Sequence, residues 1–302
     1  MKAEPDMTMN EDKNMSNDRV IAVTGGTGTV GSELLRLLAA RGAKVRALSR
    51  HPGKAPRLPG VEWVAGDLAD KGSLGRLMSG AESFFLLTGN MDNMVPAQLN
   101  AIDAAKQAGV RRVVKLSALG ASIHSKSVIG LWHYLVEQAL ERSGMAWTLL
   151  RPHAYLQNFL GQVEDIRQGR LPSAAGDGLV PFVDTRDIAA VAAEVLIRGG
   201  WEGKKLVLTG PAGRTHDEVA KVLSAELGYP VEHRRESEDE AWARLRKAGV
   251  PVWLAAGTLA LYAYWRHGGA TAKVSGVIEQ ITGRPPRSLE EFVRDHKQQF
   301  AR

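Results

Sequence analysis

The sequence predicts an α/β fold of the Rossmann type, a doubly wound parallel sheet, with a smaller, mainly helical C-terminal lobe. Three observations predict it. Short apolar runs alternate with helical patterns through the first half of the chain. Several of these runs are apolar on both faces, which is typical of buried parallel strands. A glycine-rich turn joins the first apolar run to the first helical pattern.

The predicted elements of the first half follow one another in a regular order. Strands are expected at residues 19–24, 44–49, 61–65, 83–88, 112–116 and 146–150. Helices are expected at residues 32–41, 73–79, 96–108 and 128–142. Glycines stand where these helices should end, at positions 42, 80, 109 and 144.

Beyond residue 151 the alternation becomes less regular. The expected elements are a helix at 155–168, a Gly/Pro-rich loop through residue 181, a helix at 188–197, a strand at 205–209 and a helix at 215–227. Asp184 is expected to cap the second of these helices, and Thr215 with Glu218 forms a capping-box pattern at the third. The last 70 residues have mainly helical patterns.

The composition excludes several classes of protein. The 302 residues are 44% hydrophobic and 24% charged, as in ordinary globular chains, and contain no cysteine, which excludes disulfides and cysteine nucleophiles. The net charge is +6, but the sequence has no run of five basic residues, so nucleic-acid binding is not expected. The excess of positive charge fits a phosphate-bearing ligand or a solvated surface. The eight histidines lack metal-ligand spacing, and no G-x-S-x-G motif occurs, so neither a metal site nor an α/β-hydrolase is expected.

Two segments bear on location. Residues 1–18 are acidic and lack an apolar stretch, so we expect a disordered leader and neither a secretory signal nor a mitochondrial presequence. The most apolar stretch, 251–265, has 15 residues, fewer than the roughly 20 that a spanning helix needs. We therefore expect no membrane span and a cytoplasmic protein.

The strongest motif is the glycine-rich turn TGGTGTVG at 24–31. Between a strand and a helix, this pattern indicates a dinucleotide site. Its glycines allow a tight turn and let the backbone approach the pyrophosphate, which the amides at the helix N-terminus then bind. The candidate cofactor-binding residues here are Gly25, Thr27, Gly28, Thr29 and Val30. An ordinary glycine-rich turn is the alternative.

The end of the second strand indicates which dinucleotide binds. An NAD site would place an acidic residue about 20 residues after the glycines. The chain instead has RALSRH at 46–51, without a carboxylate, and Arg50 is placed to pair with a 2′-phosphate. NADP(H) is therefore predicted over NAD(H), with an arginine that contacts nothing as the alternative.

Residues after the next three strands complete the predicted cofactor site. Asp67 and Leu68 follow the third strand, where the carboxylate is placed to meet the adenine or to cap a helix. Thr88 and Gly89 follow the fourth strand, and Ser117 follows the fifth. Because ligands of open α/β sheets bind beyond the carboxyl ends of strands, we expect Thr88, Gly89 and Ser117 to flank the ribose and nicotinamide.

This set of motifs resembles the short-chain dehydrogenase/reductase superfamily, and more closely its atypical, NmrA-like branch. The resemblance covers roughly residues 19–300 and is carried by TGGTGTVG at 24–31, GDL at 66–68, KLSALGA at 115–121, WHYLVEQAL at 132–140, LRP at 150–152, VDTRDIA at 183–189 and LTGP at 208–211. It implies a relationship to NAD(P)H quinone reductases, to triphenylmethane reductases and to NADP-binding proteins without catalytic activity.

The chain departs from the superfamily pattern at the catalytic pair. Extended relatives carry Tyr-x-x-x-Lys followed four residues later by Glu. If Glu137 is that Glu, His133 stands at the lysine position and Ile129 at the tyrosine position, while a register through Tyr134 puts Gln138 at the lysine position. Since the lysine normally lowers the pKa of the tyrosine, reversible alcohol–ketone chemistry by the standard route is disfavoured.

We therefore expect hydride transfer to an acceptor that is already electrophilic, such as a quinone, an imine or an enone, because alignment matters more than a strong acid for such substrates. His133 is the catalytic candidate, because it could form a hydrogen bond with the nicotinamide ribose or donate a proton. The alternative is a histidine whose hydrogen bonds are satisfied within the core. His153, Tyr155 and Asn158 are the substrate-binding candidates. The aromatic segment 253–265 either roofs the pocket or simply packs.

The expected organisation is a leader at 1–18, an NAD(P)-binding Rossmann domain at 19–152 and a substrate lobe at 153–302, with 180–210 returning to the Rossmann core. The expected partner is a small organic acceptor, with the oligomeric state left open. The alternative function is a regulator that senses NADP and binds a protein partner without turnover, which the loss of the Tyr/Lys pair favours. An epimerase that retains NAD fits poorly because it usually needs the missing tyrosine.

Overall fold

The computed structural model describes residues 19–302, apart from the side chains of residues 270 and 271. The leader expected at 1–18 lies outside the described residues. Within the described range the strands are β1 Val20–Val23, β2 Lys44–Ser49, β3 Val61–Ala65, β4 Ala81–Leu86, β5 Arg112–Leu116, β6 Ala146–Pro152, β7 Arg170–Ser173, β8 Lys204–Leu208 and β9 Glu232–Arg235. Seven of them form one parallel sheet in the order β3-β2-β1-β4-β5-β6-β8, and β7 pairs with β9 in a second, two-stranded sheet.

Some of the helices cover both faces of the large sheet, and others build the C-terminal lobe. They are α1 Thr29–Ala40, α2 Lys71–Met78, α3 Met94–Gln107, α4 Val128–Glu141, α5 Val163–Arg167, α6 Thr185–Arg198, α7 His216–Leu227, α8 Glu238–Lys247, α9 Val252–His267, α10 Val277–Thr282, α11 Leu289–Asp295 and α12 Lys297–Phe300. Helices α1, α6 and α10 share one buried apolar cluster with the sheet, and α2, α3 and α4 share another on the opposite face. The Rossmann-type fold predicted from the sequence is confirmed.

The strand order reverses beside β1. The chain runs outward from β1 through β2 to β3 and then returns to β4, which pairs with the other edge of β1. In such sheets the crevice at the reversal, outside the carboxyl ends of the strands, is where ligands bind. The segments after β1, β4 and β5 meet this crevice, and they carry the cofactor motifs found in the sequence.

The strand expected at 205–209 is confirmed as β8, which joins the large sheet beside β6. Two helix caps are also confirmed. The Asp184 side chain accepts a hydrogen bond from the Arg186 amide at 2.8 Å at the start of α6. Thr215 and Glu218 form the capping box of α7. Local sequence patterns thus place these ends correctly.

The helix expected at 155–168 is wrong in its first half. The structure has a 3-10 turn at Leu156–Gln162, and only Val163–Arg167 is α-helical. The Leu156 amide donates to the carbonyl of Val183 at 3.0 Å, so the start of the segment is bonded to a neighbouring stretch of chain. Gly161, a weak helix former, lies just before α5.

The C-terminal lobe has its own apolar core. Phe159, Leu223, Phe292 and Phe300 are buried in it together with Trp265 from α9. In the described part of the chain, no helix is both long enough and apolar enough to cross a membrane, and α9 has 16 residues.

Candidate active site

The glycine loop is shaped by backbone contacts. Gly25 has a φ of 68°, and the Gly28 amide donates to the Gly25 carbonyl at 3.0 Å. A Cβ on Gly31 would lie 2.1 Å from that same carbonyl oxygen, so only glycine allows α1 to begin this close to the loop. The loop therefore needs glycine at these positions for reasons of space and backbone conformation.

The N-terminus of α1 can bind an anion. Gly28 is the N-cap residue, no side chain caps the helix, and its first turn contains no acidic residue. Thr27, Gly28 and Thr29 are exposed, whereas the Val30 side chain is buried, so position 30 offers a ligand its backbone alone. The first amides of a helix lack partners within the helix, so this loop fits a pyrophosphate.

Arg50 lies at the bend that follows β2, and its side chain is exposed. Within residues 19–302 it forms no ion pair with a carboxylate, unlike many of the other arginines. The neighbouring Ser49 hydroxyl accepts a hydrogen bond from the His51 amide at 3.1 Å. The cation is thus available to a phosphate beside the end of β2.

The segment after β3 holds the predicted adenine contact. Asp67 is exposed, and its Oδ1 accepts a hydrogen bond from the Ala69 amide at 2.9 Å. The N-cap of α2 is Asp70, which accepts from the amides of Gly72 and Ser73. Asp67 therefore orders the turn that also carries Leu68, and its contact with adenine stays a prediction.

The segments after β1 and β4 are tied together at the strand-order reversal. The Thr24 hydroxyl accepts a hydrogen bond from the Leu87 amide at 3.0 Å. Thr88 is half-buried and accepts from the Gln98 side chain at 2.7 Å, and Gly89 is exposed. The structure thus brings the end of β4 against the glycine loop, as the expected cofactor site requires.

A buried ion pair lies between α4 and β6. Glu137 is fully buried, and the Arg151 guanidinium donates to both of its carboxylate oxygens, with Nε at 2.9 Å from Oε1. The Ser117 hydroxyl, just beyond β5, donates to the same Oε1 at 2.5 Å. Glu137 thus fixes the hydroxyl that was expected beside the nicotinamide.

Beside this pair lies a second buried contact, between Lys115 of β5 and His133 of α4. The Lys115 Nζ is 2.9 Å from His133 Nδ1 and also donates to the Leu116 carbonyl at 3.1 Å. Burial lowers the pKa of Lys115 to about 7, with Glu137 opposing the shift and Arg151 adding to it. Burial, Lys115 and Arg151 together hold the pKa of His133 well below its ordinary value of 6.5. The imidazole is therefore neutral at physiological pH.

Three members of this cluster were missed as site residues from the sequence: Lys115, Glu137 and Arg151. The helix register lacks the superfamily lysine, yet β5 brings a lysine to the histidine that replaces it. The signal was a lysine inside the otherwise apolar strand RVVKL, an unusual place for a charge. Pairing with His133 is visible only once β5 and α4 are packed together.

The substrate-binding candidates all lie on the segment after β6. His153 is buried, its Nδ1 accepts from the Ala154 amide at 2.7 Å, and its ring stacks on Trp265 with centroids 6.2 Å apart. Tyr155 is half-buried, and burial raises the pKa of its phenol. Asn158 is exposed.

The aromatic segment of α9 mainly packs. Trp265 and Tyr262 are buried in the C-terminal core, and Trp253 contacts Trp132 of α4 with centroids 5.1 Å apart. Trp132 directly precedes His133, so α9 lies over the part of α4 that carries the catalytic candidate.

Comparison with known proteins identifies the family of the chain. The model of the NmrA-like family matches residues 17–283. The chain belongs to the NmrA-like family. The NAD(P)H azoreductase of Xenophilus azovorans is 36% identical over 284 residues, which cover 93% of this chain and 99% of that protein. The resemblance inferred from the sequence is thereby confirmed.

Two solved structures of reductases also match. The NADPH-dependent quinone oxidoreductase of Escherichia coli, in complex with NADPH, matches with a TM-score of 0.83 and 29% identity over 91% of this chain and 99% of that one. The triphenylmethane reductase of Citrobacter sp. matches with a TM-score of 0.82 and 28% identity over 93% of this chain and 99% of that one. The prediction of an oxidoreductase is confirmed.

Proposed function

We propose that the protein is an NADPH-dependent reductase that transfers hydride to an electrophilic, fairly apolar organic acceptor of the quinone, imine or enone type. Residues 19–152 hold the nucleotide, and the lobe at 153–302 contributes the acceptor side through the segment that follows β6. NADPH, when bound, supplies the hydride. The chain has to bind the nucleotide, align the acceptor and deliver a proton where the product needs one.

The observation that carries this proposal is the buried cluster in the place of the superfamily's Tyr/Lys pair. His133 is a neutral imidazole on Lys115, and Glu137 is held by Arg151 and Ser117. Ile129 stands at the tyrosine position, so no phenol is present there to take a proton from an alcohol. Such a site favours acceptors that need hydride and a hydrogen-bond donor over reversible alcohol oxidation.

The names of the similar proteins support the same class of acceptor. Azo compounds, quinones and triphenylmethane dyes are all conjugated and electrophilic, and the three relatives described above are named as reductases of these compounds. The acceptors to try first are therefore drawn from these classes as well as from imines and enones.

In the proposed site, the loop at 25–31 holds the pyrophosphate, and Arg50 holds the 2′-phosphate. Thr88 and Ser117 flank the ribose and nicotinamide, and His133 presents its imidazole beside the hydride. The preference for NADPH is supported by the unpaired cation of Arg50 and the absence of a carboxylate from RALSRH at 46–51.

The first experiment is a fluorescence titration of wild type and Arg50→Ala with NADPH and NADH. Loss of charge-assisted hydrogen bonds to the phosphate should raise the Kd for NADPH roughly ten- to a hundredfold, while the Kd for NADH stays unchanged. Arg198→Ala is the matched control, because that arginine is exposed at the end of α6 and its removal changes the net charge equally. An equal loss for both nucleotides in Arg50→Ala would contradict the assignment of Arg50.

The NADPH complex is then mixed with quinones, azo dyes, cyclic imines and cationic triarylmethane dyes while NADPH absorbance is followed. Acceptor-dependent oxidation is the expected result. Tight binding without oxidation by any acceptor would instead favour the alternative function, a regulator that senses NADP. Binding of neither nucleotide would refute both functions.

A further inference from the structure

Lys115 is a buried cation without a carboxylate partner. Its side chain is fully buried in β5, between Leu86 of β4 and Leu149 of β6 in the register of the sheet. Within residues 19–302 no carboxylate lies within ion-pairing distance of its Nζ, and its hydrogen bonds go to the Leu116 carbonyl and His133 Nδ1. Fully buried lysines are rare and costly, so this position calls for a role.

The nearby carboxylate of Glu137 does not form an ion pair with Lys115. Both oxygens of Glu137 accept hydrogen bonds from Arg151, and Oε1 also accepts from Ser117. The charged groups that act on Lys115 are Glu137 of α4 and Arg151 of β6, and those that act on His133 are Lys115 and Arg151. Among the side chains of the described residues, the imidazole of His133 is thus the one to which the lysine ammonium donates.

This contact fixes the state of His133. Below pH 7 Lys115 is mainly an ammonium, which can only donate, so Nδ1 of the neutral ring then accepts and the ring proton sits on Nε2. The residue is 8% exposed, and Nδ1 is the ring nitrogen that contacts Lys115, which leaves Nε2 as the ring nitrogen for a bound acceptor. His133 therefore offers a donor, backed by a second proton on Lys115.

We propose that Lys115 is a positioning residue that delivers, through His133, the proton that accompanies hydride transfer. The inference rests on the proposed reductase function. As the acceptor takes hydride, Nε2–H gives its proton to the product anion while an N–H of Lys115 passes to Nδ1. Lys115 is left as a neutral amine and His133 as the opposite neutral tautomer. Uptake of a proton from solvent at Nε2 and return of the Nδ1 proton to the Lys115 amine then restore the starting state. Lys115 of β5 thereby takes the place of the superfamily lysine that α4 lacks.

The acceptor itself provides the sharpest test. Reduction of a quinone to the hydroquinone consumes one hydride and one proton, whereas a triarylmethane cation takes hydride alone and becomes a neutral product. Loss of the proton path should therefore slow the first reaction and leave the second unchanged. A merely structural role for Lys115 would affect both alike.

The variant is Lys115→Met, which replaces the lysine by an uncharged side chain of similar length that suits a buried strand. Lys106→Met, at the exposed end of α3, is the matched control. Lys115→Met should slow quinone reduction about a hundredfold and change dye reduction by less than about twofold, with unchanged Kd for NADPH. Equal losses with both acceptors, or no loss with the quinone, would overturn the proposal.

Wild type supplies two further readouts that need no variant to fold. Because Lys115 must be protonated to act and its pKa is about 7, quinone reduction should fall as the pH rises through 7, and dye reduction should not. Nitrogen NMR of the nucleotide-free protein should find His133 neutral at pH 6 with its proton on Nε2. A protonated ring or the Nδ1–H tautomer would contradict the relay, even if no acceptor is ever reduced. Absence of turnover with a correct tautomer would instead count against the reductase function.

Discussion

Alanine at position 31 would place a methyl group inside the glycine loop. Its Cβ would lie 2.1 Å from the Gly25 carbonyl oxygen, 2.8 Å from the Gly25 carbonyl carbon and 2.9 Å from the Gly26 Cα. All three atoms are backbone, so no side chain can rotate away. Since an ordinary C···O contact is about 3.3 Å, the loop must open by roughly 1.2 Å. That movement pulls the Gly25 carbonyl away from the Gly28 amide.

Overpacking of this kind typically costs about 1–3 kcal/mol, and we expect Gly31→Ala to lie at the upper end. Denaturant unfolding measures that cost, and NADPH titration should show at least a roughly tenfold loss because the amides that bind the phosphates move. Gly75→Ala is the matched control, since a Cβ there meets nothing within 4 Å and should stabilise α2 by about 0.5–1 kcal/mol. Wild-type stability and NADPH affinity in Gly31→Ala would refute the reasoning about the loop.

Two further variants test the buried groups. Glu137→Gln leaves the Arg151 guanidinium without its carboxylate partner and should lower the free energy of unfolding, measured with denaturant, by about 3 kcal/mol. Because Glu137 raises the pKa of Lys115, the pH at which quinone reduction falls should also be lower in this variant. Burial lowers the pKa of His216 from 6.5 to about 3, so its neutral form contributes stability above pH 6.5 that is lost as the pH falls toward 3, by about 1.4 kcal/mol per unit. His216→Phe should flatten that dependence in unfolding measured from pH 7 to 4, and an unchanged slope would contradict the assignment.

Most of the large sheet could be predicted because its signals are local. Apolar runs of five to seven residues, glycines at helix ends and two capping patterns place β1 to β6, β8 and the helices between them within a few residues. Strands β7 and β9 were missed, since RLPS and EHRR carry no alternation and exist only because they pair with each other. The segment after β6 was misjudged for a related reason, as its first amide is bonded to Val183 rather than within a helix.

The site shows the same division. The glycine loop and Arg50 could be predicted because their residue types stand next to the end of a strand. The contact between Lys115 and His133 could not, because the two residues are 18 positions apart on different elements. A helix register can show that the superfamily lysine is absent from α4, but it carries no information about what β5 places beside it. The ion pair of Glu137 with Arg151 likewise depends on α4 packing against β6. Long-range contacts between buried charges therefore had to come from the structure.

The position of α9 explains why a tyrosine at 129 would not restore the usual chemistry. A Cβ on Gly257 would lie 3.2 Å from Ile129 Cδ1 and 3.3 Å from Ser127 Oγ, so α9 already approaches the start of α4 as closely as a glycine allows. Trp253 packs against Trp132 one turn earlier on the same helix. A phenol at 129 is longer than the isoleucine and would need the space that α9 fills. The aliphatic residue at the tyrosine position and the close approach of α9 thus belong together, and of these two superfamily positions only the lysine position carries a polar side chain, His133, which contacts Lys115 of β5.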